Sequence, residues 1–184
     1  MSLEKIFYTD IDSPMGPLWA ATSKKGLIRL NLPCTEQKFL KELAPQIKTE
    51  AEYRPSKLDE LSIWLEDYFK GKNTKFKGSL DLRGTDFQKK VWKEIYKIHY
   101  GKLTSYGILA KNIKKPKAAR AVGNAVGENP ICIIIPCHRV VWNNRGIGGF
   151  GNGLHRKRFL LNVERVLPSI NYDAEKGIDL RAYF

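Results

Sequence analysis

From Lys5 to Leu32 the apolar positions come in short runs of strand length: Ile6-Phe7-Tyr8, Pro17-Leu18-Trp19-Ala20 and Leu27-Ile28-Arg29-Leu30. Ser13-Pro14-Met15-Gly16 and Lys24-Lys25-Gly26, both rich in turn residues, separate them, and a small antiparallel meander is predicted. The spacing then becomes helical. Thr35 is placed to cap a helix running to Leu43, and Leu58, Leu61, Leu65 and Tyr68 mark one face of a second helix, with Trp64 and Phe69 beside it. The Lys- and Gly-rich stretch from Gly71 to Gly84 reads as a link. The pattern predicts an α/β (α+β) chain: an N-terminal unit over 1–78 and a mainly helical unit over 79–184, the latter with a tail at 168–184.

The second unit begins sharply. Thr85-Asp86-Phe87-Gln88 fits a capping box, and Phe87, Val91, Trp92, Ile95 and Ile98 form the apolar stripe of a helix ending near His99. Thr104 to Lys111 and Lys117 to Val126 are two short helical stretches around a break at Asn112 to Pro116. They suit a helix-turn-helix and an ordinary packed hairpin equally well. The second stretch is unusual in its small residues, Ala119 and Gly123 among them, with Arg120 as its one long basic side chain. Asn143-Asn144-Arg145-Gly146 should be a hairpin turn and Gly148 to Gly153 a glycine-rich loop. A last helix from Leu154 to about Leu167 would bury Leu154, Phe159, Leu160, Val163 and Leu167 and present Arg156, Lys157, Arg158, Glu164 and Arg165.

Charge sharpens this picture. The chain has 184 residues and a net charge of +13, from 32 basic and 19 acidic side chains. Residues 1–84 hold 14 basic against 12 acidic groups, and 85–184 hold 18 against 7, so the excess lies in the second unit. A one-sided positive field suits a polyanion such as nucleic acid, although charge alone is equally compatible with a lysine-rich surface. Met1 to Thr9 carries Glu4 and Lys5 without a long apolar run, and no segment approaches ~18 consecutive apolar residues, so a cytoplasmic protein without a membrane partner is expected. Cys34, Cys132 and Cys137 are odd in number and irregularly spaced, which argues for a reducing compartment. With His99, His138 and His155 they match no common zinc spacing, and neither a metal nor a cofactor is expected.

The chemistry concentrates in Asn129-Pro130-Ile131-Cys132-Ile133-Ile134-Ile135-Pro136-Cys137-His138-Arg139-Val140-Val141. The isoleucine run is too apolar for the surface, and Pro136 interrupts any regular ladder, which leaves Cys137 at the end of an apolar wall. A free thiol has a pKa of about 8.5 and reacts as thiolate, so it needs a base and a positive field, which His138 and Arg139 supply. Neighbours in an extended chain face opposite sides, so proton transfer from Cys137 to His138 would run through a water. The dipeptide alone also fits an inert core thiol beside a satisfied histidine.

Pro136-Cys137-His138-Arg139-Val140 after an isoleucine run headed by Asn129-Pro130 resembles the active-site signature of the O6-alkylguanine-DNA alkyltransferases, which repair DNA by self-alkylation. The similarity is close over about Thr85 to Leu167. It implies stoichiometric transfer of an alkyl group from O6-alkylguanine in double-stranded DNA to the protein, acting as a monomer. By position Cys137 is the acceptor, His138 the base acting through a water, and Glu164 the acid that orients it. Asn129 holds the segment between recognition helix and active site, Arg120 enters the duplex where the damaged nucleotide leaves, and Tyr106 helps rotate that nucleotide and donates toward the purine. Ala119, Gly123, Arg139, Val140, Phe150, Gly151 and Asn152 fall among the expected substrate and DNA contacts. Many family members have tyrosine where Phe150 stands and glycine where Asn152 stands, so benzyl-sized adducts should react poorly relative to methyl. A DNA-binding regulator with a structural Cys137, a Cys-His hydrolase, and a relative that binds alkylated DNA without repairing it are the competing readings; the presence of Cys137 speaks against the last.

Overall fold

The computed structural model describes residues 4–142 and 146–166. Its backbone contacts divide the chain into two units, one from the residues up to Arg83 together with Pro130–Cys132, the other from Gly84–Asn129 and the residues from Ile133 on. Where the sequence expects a break at 78/79, Ser79 accepts from the Leu27 amide and Asp81 donates to the Leu27 carbonyl, so this stretch lies with the first unit.

In the first unit β1 (Ile6–Ile11), β2 (Leu18–Ser23) and β3 (Gly26–Asn31) form the antiparallel meander, with Phe7 opposite Thr22 and Ala20 opposite Leu30. α1 (Glu36–Leu43) starts at Thr35, whose hydroxyl accepts from the Lys38 amide, and buries Phe39 and Leu43 against Ile6, Tyr8, Ala21 and Ile28. β4 (Ala51–Tyr53) was not predicted; it pairs parallel with β1, giving the order β3-β2-β1-β4. Its three residues are too few and too exposed to leave an alternating signal. α2 (Asp59–Phe69) buries Leu61, Leu65 and Tyr68, three of the four positions read as its face. Gly26 has φ +134°, and a Cβ there would lie 2.3 Å from the Ser79 carbonyl oxygen, so no other residue fits this hairpin. Pro130–Cys132 adds to the unit from far along the chain: the Leu30 amide donates to Pro130 O at 2.9 Å and the Cys132 amide to Leu30 O at 3.0 Å.

In the second unit α3 (Asp86–Tyr96) begins with the predicted capping box, Thr85 and Gln88 satisfying each other's backbone amides. A two-residue β5 (Thr104–Ser105) leads into α4 (Tyr106–Asn112), which Ser105 caps, and α5 (Ala119–Gly127) follows after a six-residue turn at 113–118. Trp92 on α3 donates from Nε1 to the Ala125 carbonyl at 2.7 Å, fixing α5 against α3. One 3-10 turn, Cys137–Arg139, leads into β6 (Val140–Val141), and α6 (Leu154–Val163) closes the described chain. α6 stops before the predicted Leu167 because Arg165 takes a left-handed conformation, φ +59°, and the Arg165 and Val166 amides turn back onto Asn162 and Leu161. The expected turn at 143–146, the buried role of Leu167 and the tail lie wholly or largely outside the described residues.

Candidate active site

Cys137 is presented by a turn rather than by an extended strand. Ile131–Ile135 is buried as expected, but it coils instead of laddering: Ile133 has φ +70°, a conformation a β-branched residue takes only under constraint. Asn129 supplies part of that constraint. Its Nδ2 donates to the Ile135 carbonyl at 2.7 Å, a buried bond that ties the end of α5 to the residue before Pro136. The Cys137 amide then donates to Ile135 O and the Arg139 amide to Pro136 O, closing the turn. β6, directly after it, pairs parallel with β5, Thr104 opposite Val140 and Ser105 opposite Val141. Tyr106 follows β5 as Cys137–Arg139 precedes β6, so this two-residue ladder fixes the phenol and the thiol in one frame.

His138 is fully buried, and its Nε2 lies 2.6 Å from Glu164 Oε1. Arg139 grips the same carboxylate, Nε to Oε2 at 2.8 Å and Nη2 to Oε1 at 2.9 Å, and donates from Nη1 to the Ile98 carbonyl at 2.6 Å. The Gly101 amide also donates to Oε2, at 3.3 Å. Burial alone would raise the Glu164 carboxyl, but His138 and Arg139 outweigh it and hold the group well below the usual carboxylate range. Burial dominates at His138 and pushes the imidazole below its ordinary value, although Glu164 opposes. The pair is therefore a neutral imidazole beside an ionised carboxylate. Nε2 carries the proton donated to Glu164, and Nδ1 keeps the lone pair.

Tyr106 is half-buried. Burial first and the charge of Cys137 second raise its phenol, so it stays protonated and able to donate. Its ring lies beside Gly123 on α5, 3.8 Å from where a Cβ would stand. Ala119 and Gly123 are partly accessible on that helix and Arg120 is exposed at its second position. The small residues therefore leave α5 a low surface, with one long cation at its start.

Residues 6–82 match the model of the 6-O-methylguanine DNA methyltransferase ribonuclease-like domain, and residues 86–166 match that of the 6-O-methylguanine DNA methyltransferase DNA binding domain. The chain belongs to the 6-O-methylguanine DNA methyltransferase family. A methylated-DNA–protein-cysteine methyltransferase of Mycobacterium tuberculosis is 44% identical over 160 residues, 87% of this chain and 93% of the relative. One of Haemophilus influenzae is 39% identical over 172 residues, 92% of each chain. The crystal structure of Mycobacterium tuberculosis OGT in complex with DNA superposes with a TM-score of 0.73 at 42% identity, covering 86% of this chain and 92% of that one.

Within this family frame two side chains stand elsewhere than the sequence reading put them. Arg139, expected among substrate and DNA contacts, is 8% exposed and commits its guanidinium to Glu164 and Ile98; an ionised carboxylate buried beside it is its partner. Val140 is likewise fully buried. Lys157, read as surface, is 0% exposed: its Nζ donates to Val140 O at 2.6 Å and lies 3.4 Å from Gly149 O, 5.9 Å from the centre of the Phe150 ring. The signal for it was present, because Lys157, Leu160, Leu161 and Glu164 recur at helical spacing and all are buried. Leu154, expected inside, is exposed instead. Phe150 joins the glycine-rich loop to the site through Lys157; Gly151 is exposed and Asn152 half-buried in the turn that follows. Among the described residues no helix is long and apolar enough to cross a membrane, and no group of three or more His, Cys, Asp or Glu side chains could hold a metal ion.

Proposed function

We propose that the protein repairs DNA by transferring the alkyl group from O6 of an alkylated guanine in duplex DNA to Cys137, each molecule acting once. The observation that carries this reading is the buried His138–Glu164 pair beside the turn that presents Cys137. Glu164 fixes the imidazole tautomer, and Nδ1 takes the thiol proton through a water. The thiolate lone pair then forms the new S–C bond as the C–O6 bond breaks. The departing electron pair goes to the guanine, which takes a proton from the Tyr106 phenol. The product is a thioether with no base strong enough beside it to expel the alkyl group, so the site is consumed.

The reacting carbon is unreachable inside the base stack, so the nucleotide must rotate out, at a cost of a few kcal/mol that weakened pairing at a damaged base reduces. The low surface of α5 suits close approach along the minor groove, and exposed Arg120 suits occupation of the vacated space. Three cysteines, all free, fit a reducing, cytoplasmic setting, and a chain that supplies every reacting group fits action as a monomer.

Intact mass and peptide mapping after incubation with a duplex carrying one O6-methylguanine test the reading. A gain of one methylene's mass on the Cys137 peptide, absent in Cys137→Ser, is expected. Binding without any mass change would point instead to a protein that senses damage or regulates.

A further inference from the structure

Lys157 is a lysine with no carboxylate in ion-pair range among the described residues. Its ammonium is wholly buried and held by two carbonyl oxygens and the face of one aromatic ring. Carbonyl dipoles and a ring compensate a buried cation only in part. Burial accordingly pushes its pKa down to about 8, and the one charge that opposes this is that of Cys137. Geometry agrees: the shorter of its two bonds is to Val140, the residue that follows the Cys137–Arg139 turn. The other charged and titratable groups around it do not serve. His138 is neutral, and Lys157 itself helps keep it so. Glu164 is taken by His138 and Arg139, and the flanking His155, Arg156 and Arg158 are neutral or of like sign.

We infer that Lys157 is the counter-charge of the Cys137 thiolate, and that alkylation of Cys137 removes that charge balance and so weakens the hold of α6 on Val140 and Gly149. The inference rests on the transfer reaction proposed above and extends it. Before transfer the thiolate and the ammonium stabilise each other, so Lys157 acts as a positioning residue that raises the thiolate fraction. After transfer the sulfur is a neutral thioether. The ammonium is then buried without a counter-charge, it gives up its proton more readily, and a neutral amine donates weaker hydrogen bonds. The same charge that prepares the site therefore marks the spent protein.

The test compares wild type with Lys157→Met, which keeps similar bulk without charge. S-alkylation of Cys137 by iodoacetamide is followed on the Cys137 peptide by mass spectrometry across pH. Lys157→Met should react about tenfold more slowly at neutral pH, with its profile displaced upward by about one pH unit, and should converge on wild type at high pH. A purely structural loss would slow the reaction at every pH without moving the profile, and an unmoved profile overturns the inference. A second arm needs only wild type: the Lys157 side-chain resonance is titrated before and after methylation by O6-methylguanine duplex. Its pKa should fall on methylation, and an unchanged or higher value overturns the inference. Peptide mapping of the same samples separates the failures. Methyl found elsewhere than on Cys137 refutes the transfer reading and the inference with it, whereas methyl on Cys137 with an unmoved profile refutes the role of Lys157 alone.

Discussion

Glu164 carries more of the site than any other single side chain, since it holds His138, Arg139 and the Gly101 amide at once. Replacing it by glutamine would leave Arg139 buried without its anion, at a cost of about 3–5 kcal/mol in denaturant unfolding. Alkyl transfer should slow by at least about tenfold, because the imidazole tautomer is no longer fixed. The same groups set the acid limit of the fold. The folded chain keeps His138 neutral where the unfolded chain protonates it, so stability falls as pH drops through the ordinary imidazole value of 6.5. Glu164, held low, adds a further loss from about pH 4.5 downward. Unfolding midpoints at pH 7.5, 6 and 5 should decline in that order, and His138→Gln should flatten the upper part of the decline. Cys137 and His138 were legible because their types are rare and adjacent. The inward turn of Arg139 and Lys157 was not, since a basic residue beside other basic residues reads as surface until its helical neighbours are counted.

At the level of elements, the sequence was most readable where a side chain completes its own backbone. Thr85 with Gln88, and Thr35, announced their helices because their oxygens satisfy amides a few residues on. It was least readable where geometry came from an unmarked residue. α4 ends through Lys114, φ +59°, with the Lys115 amide donating to Ala110 O and the Lys114 amide to Lys111 O, a left-handed stop usually signalled by glycine. Lys114→Gly should therefore stabilise the protein by about 1 kcal/mol in thermal or denaturant unfolding, unless the turn conformation is other than described. Asn129 works in the opposite sense. Asn129→Ala strips the buried bond that holds Ile135 and should cost about 1–3 kcal/mol, with a loss of transfer rate because the Cys137 turn depends on that carbonyl.

At the scale of the molecule, the basic excess of residues 85–184 coincides with the unit that carries α4, α5 and the thiol, while 1–84 are nearly neutral. Binding to undamaged duplex should weaken linearly in log–log terms as salt rises, with a slope of about −0.9 per phosphate neutralised, and Arg120→Ala should change that slope by less than about one phosphate. The same variant should lose far more repair of duplex than reaction with free O6-methylguanine base, because only the duplex requires the nucleotide to leave the stack. Equal losses on both substrates would remove Arg120 from the extrusion step. Two units could be read from the sequence because the composition changes at Gly71–Gly84. That a short piece of the second half folds with the first could not be read, because Pro130–Cys132 looks like any apolar run and its partner Leu30 lies 100 residues earlier.

That returning piece makes the chain pass between the units at 83/84, 129/130 and 132/133. A protease nick in the Lys- and Gly-rich link would consequently not release a free repair module. The C-terminal fragment would still own Pro130 and Cys132, which are zipped to Leu30 in the N-terminal fragment. The two pieces should co-elute after cleavage and part only in denaturant. A C-terminal fragment made alone would carry, five residues ahead of its nucleophile, a bare backbone edge seeking a strand to pair with.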